Sequence, residues 1–235
     1  SQKKILDHPD FDIWNRIQNP VLSVEGDFVM YSVQQGEKDS HLKIKDNQGK
    51  VIFQHERSED GQFTYDSEIA IFKIKAWTDS ITEMKRRKVK KEKLPKDSIG
   101  IYHLQNQSLQ KIANIRSYKI PEKWSGFIAY SYNPTKEKSQ KKSKKVKDST
   151  QKKSKKKAKK PSSKNGYPLI IRDLKTSVED TIHFVTNYTF AKKAKTLAYT
   201  TTGMKGKMKA GVYVKDLKTN TTKQVFNSHQ KTKYF

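Results

Sequence analysis

The residues FIAY at positions 127–130 are the clearest of four short apolar runs that decide the fold. The other three runs are FVMY (28–31), IAIF (69–72) and LAY (197–199). The first three each follow a polar turn, which carries Gly26, Ser67 or Gly126. A short continuous apolar run between turn residues is typical of a β-strand that is buried on both faces.

The four runs recur at a nearly constant interval once two lysine-rich segments are set aside. The runs end at Tyr31, Phe72, Tyr130 and Tyr199. These ends are separated by 41, 58 and 69 positions, and each longer separation contains one lysine-rich segment, residues 83–96 or 134–164. Without those 14 and 31 residues the separations are 41, 44 and 38. A period near 40 residues is typical of the blades of a β-propeller.

Each apolar run has further strand patterns before and after it. Short patterns with a polar centre precede the last three runs, and PVL precedes the first; they are PVL (20–22), FTY (63–65), YKI (118–120) and YTF (188–190). Hairpin patterns follow at 42–53, 101–112, 169–176 and 212–219, and the last two both end in DLKT. Each unit therefore predicts four strands, the size of one propeller blade.

We therefore expect an all-β fold, a β-propeller of about four four-stranded blades in one domain over residues 1–235. Tyr234 and Phe235 resemble the start of a fifth blade, which predicts an incomplete ring. The second strand of each blade should be buried on both faces, since neighbouring blades cover it. An up-and-down sandwich is the alternative, but it does not require a fixed period.

The composition limits the classes of function. The 235 residues carry a net charge of +26 at a mean hydropathy of −0.96, and most of that charge lies in the two lysine-rich segments. The absence of cysteine excludes a disulfide scaffold, a thiolate metal site and a cysteine nucleophile. No apolar run has the length of a transmembrane helix, and no signal peptide is recognisable at Ser1.

Several segments resemble bacterial serine peptidases of the prolyl oligopeptidase family, of the Bacteroidetes type. They are DFDIWNRI (10–17), PVLSVEGDFVMYS (20–32), KDSIG (96–100) and the lysine-rich break before LIIRDL (169–174). The resemblance implies a propeller that covers an α/β-hydrolase domain with a Ser-Asp-His triad and admits short or flexible peptides. The implied partners are that hydrolase domain and peptide substrates. The implied location is the bacterial periplasm or cell envelope, with the cytoplasm left open.

The chain lacks the motifs that would carry the family's chemistry. It has no G-x-S-x-G nucleophile elbow and no βαβ alternation, so we assign no catalytic residue and expect no peptide hydrolysis by this chain alone. It has no Glu-Glu pair of the kind that holds a peptide amino terminus in the dipeptidyl subgroup. We assign no cofactor, no metal and no substrate-binding residue.

The other motifs favour structural roles. The six histidines show no metal-ligand spacing. Asp39, Ser40 and His41 have the residue types of a triad, but neighbours on one strand point to opposite faces. Three acidic residues near the amino terminus, Asp7, Asp10 and Asp12, are too few for a calcium site and favour solvated groups or the cap of a short helix over 11–17. That helix would pack Trp14 and Ile17 against the propeller.

The lysine-rich segments leave two further hypotheses open. Residues 136–164 contain no aromatic residue and no arginine, which favours a solvated loop and excludes specific reading of nucleic-acid bases. Residues 85–96 do not support an amphipathic helix, and Trp77 before them is interpreted as a blade-edge core residue. The alternatives to a peptidase propeller are a non-catalytic scaffold of the TolB or WD type and a polyanion binder that acts through its lysines.

Overall fold

The computed structural model describes residue 7 and residues 13–134, 165–203 and 208–227. These contain fifteen strands, one α-helix and one short 3-10 helix at Lys91–Lys93. The elements are β1 (Asn15–Leu22), β2 (Phe28–Gln35), β3 (His41–Asp46), β4 (Val51–Glu56), β5 (Ser58–Phe63), β6 (Ile69–Ile74), α1 (Thr78–Arg86), β7 (Ser98–His103), β8 (Ser108–Ile112), β9 (Ile115–Lys119), β10 (Phe127–Tyr132), β11 (Tyr167–Asp173), β12 (Glu179–Phe190), β13 (Thr196–Thr201), β14 (Gly211–Asp216) and β15 (Thr221–Asn227).

The strands form four antiparallel blades of a β-propeller. Strands β1–β4 form the first blade and β5–β8 the second, each paired in chain order. The third and fourth blades share one seven-stranded sheet, β9 to β15, because β12 belongs to both. Its residues up to Val185 pair with β11, and those from Val185 onward pair with β13. The predicted propeller and its four-stranded repeat are confirmed.

All four apolar runs form the second strands of their blades, β2, β6, β10 and β13. In the middle blades these strands are buried on both faces, as β6 shows. Ala70 and Phe72 belong to the core shared with the first blade, whereas Ile69 and Ile71 belong to the core shared with the third. Burial of an isoleucine or phenylalanine side chain contributes about 1.5–3 kcal/mol to stability.

Three hydrophobic cores join the blades in sequence. The first joins blades one and two around Met30 and Phe72, and the second joins blades two and three around Ile101 and Tyr130. The third joins blades three and four around Leu169 and Tyr199. None of the core clusters within the described ranges joins the first blade to the fourth, so these two have one blade neighbour each.

The second strands of the first and fourth blades are less buried, because each of these blades has one blade neighbour. Strands β2 and β13 alternate between buried and partly exposed residues instead of being buried throughout. Apolar side chains lie on the uncovered faces, including Ile17, which is 66% exposed and pairs with Val33. The prediction of a second strand buried on both faces therefore holds for the middle blades and is wrong for the outer two.

Turns before the second strands link the blades to one another. Gly26, Ser67 and Gly126 all have positive φ, which explains why two of the three are glycine. The Ser67 hydroxyl accepts a hydrogen bond from the Val24 backbone N–H at 3.1 Å, across the first two blades. Asp66 is hydrogen-bonded by Ser125 of the third blade. The same turn therefore contacts both neighbouring blades.

Three local predictions are wrong. The segment 15–17 lies in β1 instead of a helix, and Trp14 and Ile17 are both more than half exposed instead of packed. Strand β5 ends at Phe63, so only the first residue of the predicted FTY strand lies in it. Thr64 and Tyr65 lie instead in the turn before β6, where the Thr64 hydroxyl donates a hydrogen bond to Asp66 Oδ1 at 2.6 Å.

The first lysine-rich segment is partly helical. Helix α1 begins at Thr78, before the lysines, and ends at Arg86 inside the segment. The second segment falls almost wholly outside the described residues, as do Tyr234 and Phe235. No helix in the described part of the chain has the length and apolar character that a membrane crossing requires.

Candidate functional site: the central cleft

A cleft of about 910 Å³ lies where the first strands of the four blades converge. Its wall contains residues of β1, β5, β9 and the second half of β12, with the ends of β6 and β7 between them. The volume falls within the range of pockets that bind small ligands or peptide segments. The cleft is therefore the candidate functional site of the chain.

Bulges in the first strands orient polar side chains into this cleft. The pairing of β1 shifts between Gln18 and Val21, and that of β5 shifts between Glu59 and Gln62. Asn19 and Asp60, inside these bulges, have positive φ values of 50° and 51°. A bulge adds one residue to a strand and redirects its side chain, which brings these two polar groups to the cleft wall.

Hydrogen bonds connect the first strands of neighbouring blades across the wall. Asn19 Nδ2 donates to Asp60 Oδ1 at 2.9 Å, and the Tyr118 hydroxyl donates to the Asp60 carbonyl oxygen at 3.1 Å. Farther along the wall, Ser117 Oγ and the Tyr188 hydroxyl lie 3.2 Å apart. The wall is thus a connected network from the first blade to the fourth.

The two tyrosines of this hydrogen-bonded network remain protonated at neutral pH. Burial and the Asp60 charge raise the pKa of Tyr118 well above its usual range. Burial also raises the pKa of Tyr188, although its hydrogen bond with Ser117 and the Arg116 charge oppose this shift. Both hydroxyls therefore act as neutral hydrogen-bonding groups and not as bases.

Among the described residues, the lining of the cleft shows no arrangement for nucleophilic catalysis. Its lining includes Ser98 and Ser117 but no histidine. Ser117 is hydrogen-bonded to Ser131 and Tyr188, which are not general bases. The chemistry of this wall is hydrogen bonding and charge recognition.

Asp39, Ser40 and His41, which have the residue types of a catalytic triad, each make contacts elsewhere. Asp39 accepts hydrogen bonds from Thr78 of α1, and Ser40 Oγ donates to the Ser58 carbonyl oxygen at 3.2 Å. His41 pairs with Val33 on β2, on the outer face of the first blade. These three side chains make no relay.

The histidines and amino-terminal acids form no cluster in the part of the chain that the structure describes. No group of three or more metal-ligating side chains is found there. His55 stacks on Phe53 and contacts Phe72, and burial together with the Lys111 charge lowers its pKa. Asp7 is exposed, while Asp10, Asp12, His8 and His229 lie outside the described residues.

A smaller cleft of about 390 Å³ lies between the first blade and α1. Arg57 lines it, donates from Nη1 to the Lys75 carbonyl oxygen at 2.9 Å, and lies over the Trp77 ring at 4.4 Å. Trp77 is 49% exposed, so its interpretation as a core residue is wrong. Its ring instead covers one face of the Arg57 guanidinium.

The sequence analysis identified no residue of the central cleft as functional. A usable signal was present in the first-strand patterns, because YKI (118–120) and YTF (188–190) have polar centres. A polar residue in the middle of an otherwise apolar strand marks a face that contacts water or a ligand. Asn19, Asp60 and Arg116 carry no such local signal.

No protein-family model matches the chain, and no curated protein matches it. Among solved structures, a prolyl endopeptidase is similar with a TM-score of 0.52 and 11% identity, over 91% of this chain and 29% of that one. The β-propeller domain of the Trilobed protease from Pyrococcus furiosus gives 0.49 and 12%, over 91% and 58%. TolB from Acinetobacter baumannii gives 0.41 and 10%, over 91% and 44%.

The chain spans less than two thirds of the length of each of these three structures. At these identities the likeness concerns the fold and not the chemistry of a site. The similarity to the prolyl endopeptidase structure shows a shared fold, and the four-blade architecture described above identifies that fold as a β-propeller.

Proposed function

We propose that this chain is the amino-terminal propeller part of a serine peptidase similar to prolyl oligopeptidases. In this proposal the propeller controls which peptides reach a hydrolase domain that the described chain does not contain. The observation that carries the proposal is the central cleft, which has a volume of about 910 Å³ and lies where the four first strands converge. The resemblance of residues 10–17 and 20–32 to that family supports it.

The cleft suits an extended peptide because its wall offers both hydrogen-bonding and apolar side chains. Asn19, Ser117 and Tyr118 provide neutral polar groups, while Val21 and Phe190 provide apolar contact. A peptide backbone in such a cleft exchanges its hydrogen bonds to water for bonds to the wall. A folded protein is too large to enter a cleft of this volume, so the proposal predicts selection of substrates by size.

The first test uses the natural protein that contains this chain. A fluorophosphonate probe, which labels an activated serine, should label that protein and should leave the isolated 235-residue chain unlabelled. A nucleophile elbow in the reading frame that follows Phe235 should accompany the labelling. An open reading frame that holds only further blades, with no labelling, would favour the non-catalytic scaffold instead.

The second test measures substrate size. The labelled protein should cleave a flexible peptide of about ten residues and leave the same sequence uncut when it lies within a folded carrier protein. Cleavage of both at similar rates would contradict a controlling role for the propeller. We also propose a location in the periplasm or cell envelope, which fractionation of the source cells would test.

A second candidate function, polyanion binding, is favoured by the basic segment beside α1. The side chains of Lys85, Arg86, Arg87, Lys88, Lys90, Lys91 and Lys93 are all exposed. Polyanion binding through such groups weakens steeply with salt. Heparin affinity at physiological salt, measured with and without residues 134–164 and with the seven cations changed to glutamine, tests it. Retention that is unaffected by both changes would exclude this function.

A further inference from the structure

The acidic side chains in the wall of the central cleft are all paired. Asp60 forms a salt bridge with Lys73 at 2.7 Å, and Glu122 forms one with Lys192 at 3.5 Å. Asp97 is paired with Lys75 at 3.1 Å. These pairs neutralise the negative charge that the cleft contains.

Two cations of the wall have no carboxylate partner among the described residues. The Arg116 guanidinium lies over the Tyr167 ring at 3.9 Å, and Lys119 Nζ donates to the Tyr188 carbonyl oxygen at 2.8 Å. Both partners are neutral. Ring stacking occupies one face of the guanidinium and leaves its in-plane N–H groups available to an acceptor.

The two cations lie on the same strand, and both line the central cleft. Lys119 Nζ is 5.3 Å from the centre of the Tyr188 ring. Ser117 lies between the two cations in sequence, and its hydroxyl contacts that of Tyr188. Two charged donors and the Ser117 hydroxyl thus line the same stretch of the cleft wall.

We propose that Arg116 and Lys119 form an anion subsite that binds a single carboxylate of a peptide in the cleft. This inference rests on the proposed function, because it assumes that the cleft binds peptides. A guanidinium presents parallel N–H groups that match a carboxylate, and an ammonium adds a second charge. Since Asp60, Asp97 and Glu122 are already paired with lysines, the wall offers two further cations, which suffice for one carboxylate.

The carboxylate comes from the carboxyl terminus of the peptide or from an acidic side chain. Three N-acetylated peptides of alanine and glycine distinguish these sources. One has a free carboxyl terminus, one is amidated, and one is amidated but contains a central glutamate. Their affinities for this chain are measured by isothermal titration calorimetry.

The test variant is the double substitution Arg116→Gln with Lys119→Gln. The matched control is Lys175→Gln with Lys218→Gln, which changes the charge equally at two exposed turns outside the cleft. Charge-assisted hydrogen bonds of this type change affinity by at least about tenfold. We expect the test variant to lose that much affinity for a carboxylate-bearing peptide and the control to lose none.

Each outcome decides the inference. Preference for the free acid over both amides assigns the subsite to a carboxyl terminus, and preference for the glutamate amide assigns it to an acidic side chain. Equal affinity of all three peptides, or equal affinity of the test variant and the control, overturns the subsite while peptide binding itself stands.

Failure of the proposed function has a different signature. If no peptide binds at about 1 mM, the cleft is not a peptide site and the proposed function fails. N-acetylglycine and its amide then test the subsite by nuclear magnetic resonance. A shift of the Arg116 side-chain N–H signal with the acid alone supports an anion site, and no shift with either compound overturns it.

Discussion

Asp39 of the first blade caps a helix of the second. Its Oδ1 accepts hydrogen bonds from the Thr78 backbone N–H at 3.2 Å and from the Thr78 hydroxyl. Helix α1 has no capping side chain of its own, so its first turn depends on this contact between blades. We expect Asp39→Ala to reduce the free energy of unfolding by about 1 kcal/mol, measured by urea denaturation.

The matched control for this cap is Glu37→Ala, an exposed acid in the same turn. It removes a similar charge without touching α1 and should leave stability within about 0.5 kcal/mol. Hydrogen exchange gives an independent measure, because the first-turn amides of α1 should lose protection only in Asp39→Ala. Equal losses in both variants would rule out the cap.

The third and fourth blades are joined by a salt bridge between Lys215 Nζ and Asp180 Oδ2, 2.7 Å apart. The Lys215 side chain is only 8% exposed, whereas that of Asp180 is 49% exposed. Asp180→Ala leaves a buried ammonium without its partner and should cost about 2 kcal/mol, because such a charge is poorly solvated. The double variant with Lys215→Met should recover much of that loss in a urea denaturation series. No recovery would mean that the lysine is not the source of the cost.

Gly100 is required by the close approach of a buried ring. A Cβ at this position would lie 2.5 Å from Cε2 of Phe72, which is fully buried between the first two blades. Gly100→Ala should cost about 2 kcal/mol because the ring must move within a packed core. The control is Gly61→Ala, whose Cβ meets the flexible end of Met30 and should cost less than half as much. The opposite order in thermal or urea denaturation would contradict this packing argument.

The sequence predicts the fold well because one physical rule dominates it. A strand covered by blades on both sides must be apolar throughout, so IAIF (69–72) and FIAY (127–130) can be found without a structure. First strands face the cleft and carry bulges, and there one prediction, FTY (63–65), is wrong, whereas PVL (20–22) and YTF (188–190) lie in β1 and β12. The bulge at Asp60 is one reason why β5 is found earlier than its sequence pattern predicts.

The candidate site was less accessible to sequence analysis for a different reason. Arg116 and Lys119 are two of 50 lysines and arginines, and nothing in their neighbours distinguishes them. Their distinguishing property is a place in the cleft wall without a carboxylate partner among the described residues. That property depends on which acids of distant strands pair with which lysines, as Asp97 does with Lys75. Helix α1 was missed because its apolar residues are only Ile81 and Met84 and none of its residues is buried.

Stability at low pH should depend on Asp66. Burial acts to raise the pKa of its carboxyl group, but hydrogen bonds from Ser125, Thr64 and the backbone outweigh this and lower it. A carboxyl whose pKa is lower in the folded state stabilises the protein above its unfolded pKa, and that contribution is lost as pH falls through the folded pKa. Asp66→Asn should therefore be less stable than the wild type at pH 7, and the difference should narrow below about pH 4.

Urea denaturation at several pH values between about 3 and 7 measures this dependence. The control is Asp27→Asn in the exposed turn before β2. Its difference from the wild type should stay constant across the series. A constant difference for Asp66→Asn as well would show that the hydrogen bonds of Asp66 do not stabilise the charged carboxylate more than the protonated carboxyl group.

Stability at high pH should depend on Tyr199. Burial, assisted by the neighbouring Tyr213 and the Asp180 charge, raises the pKa of Tyr199 to about 12, although a hydrogen bond with Thr222 opposes the rise. In the unfolded chain a tyrosine ionises near pH 10. The stabilising contribution is therefore complete below about pH 10 and is lost as pH rises toward 12, because only the unfolded chain releases the proton.

The free energy of unfolding of the wild type should fall across this interval, and Tyr199→Phe should show a smaller fall. Tyr65→Phe, whose ring is 44% exposed, should fall as steeply as the wild type. Parallel curves for all three proteins would mean that the Tyr199 hydroxyl is in contact with water in the folded state.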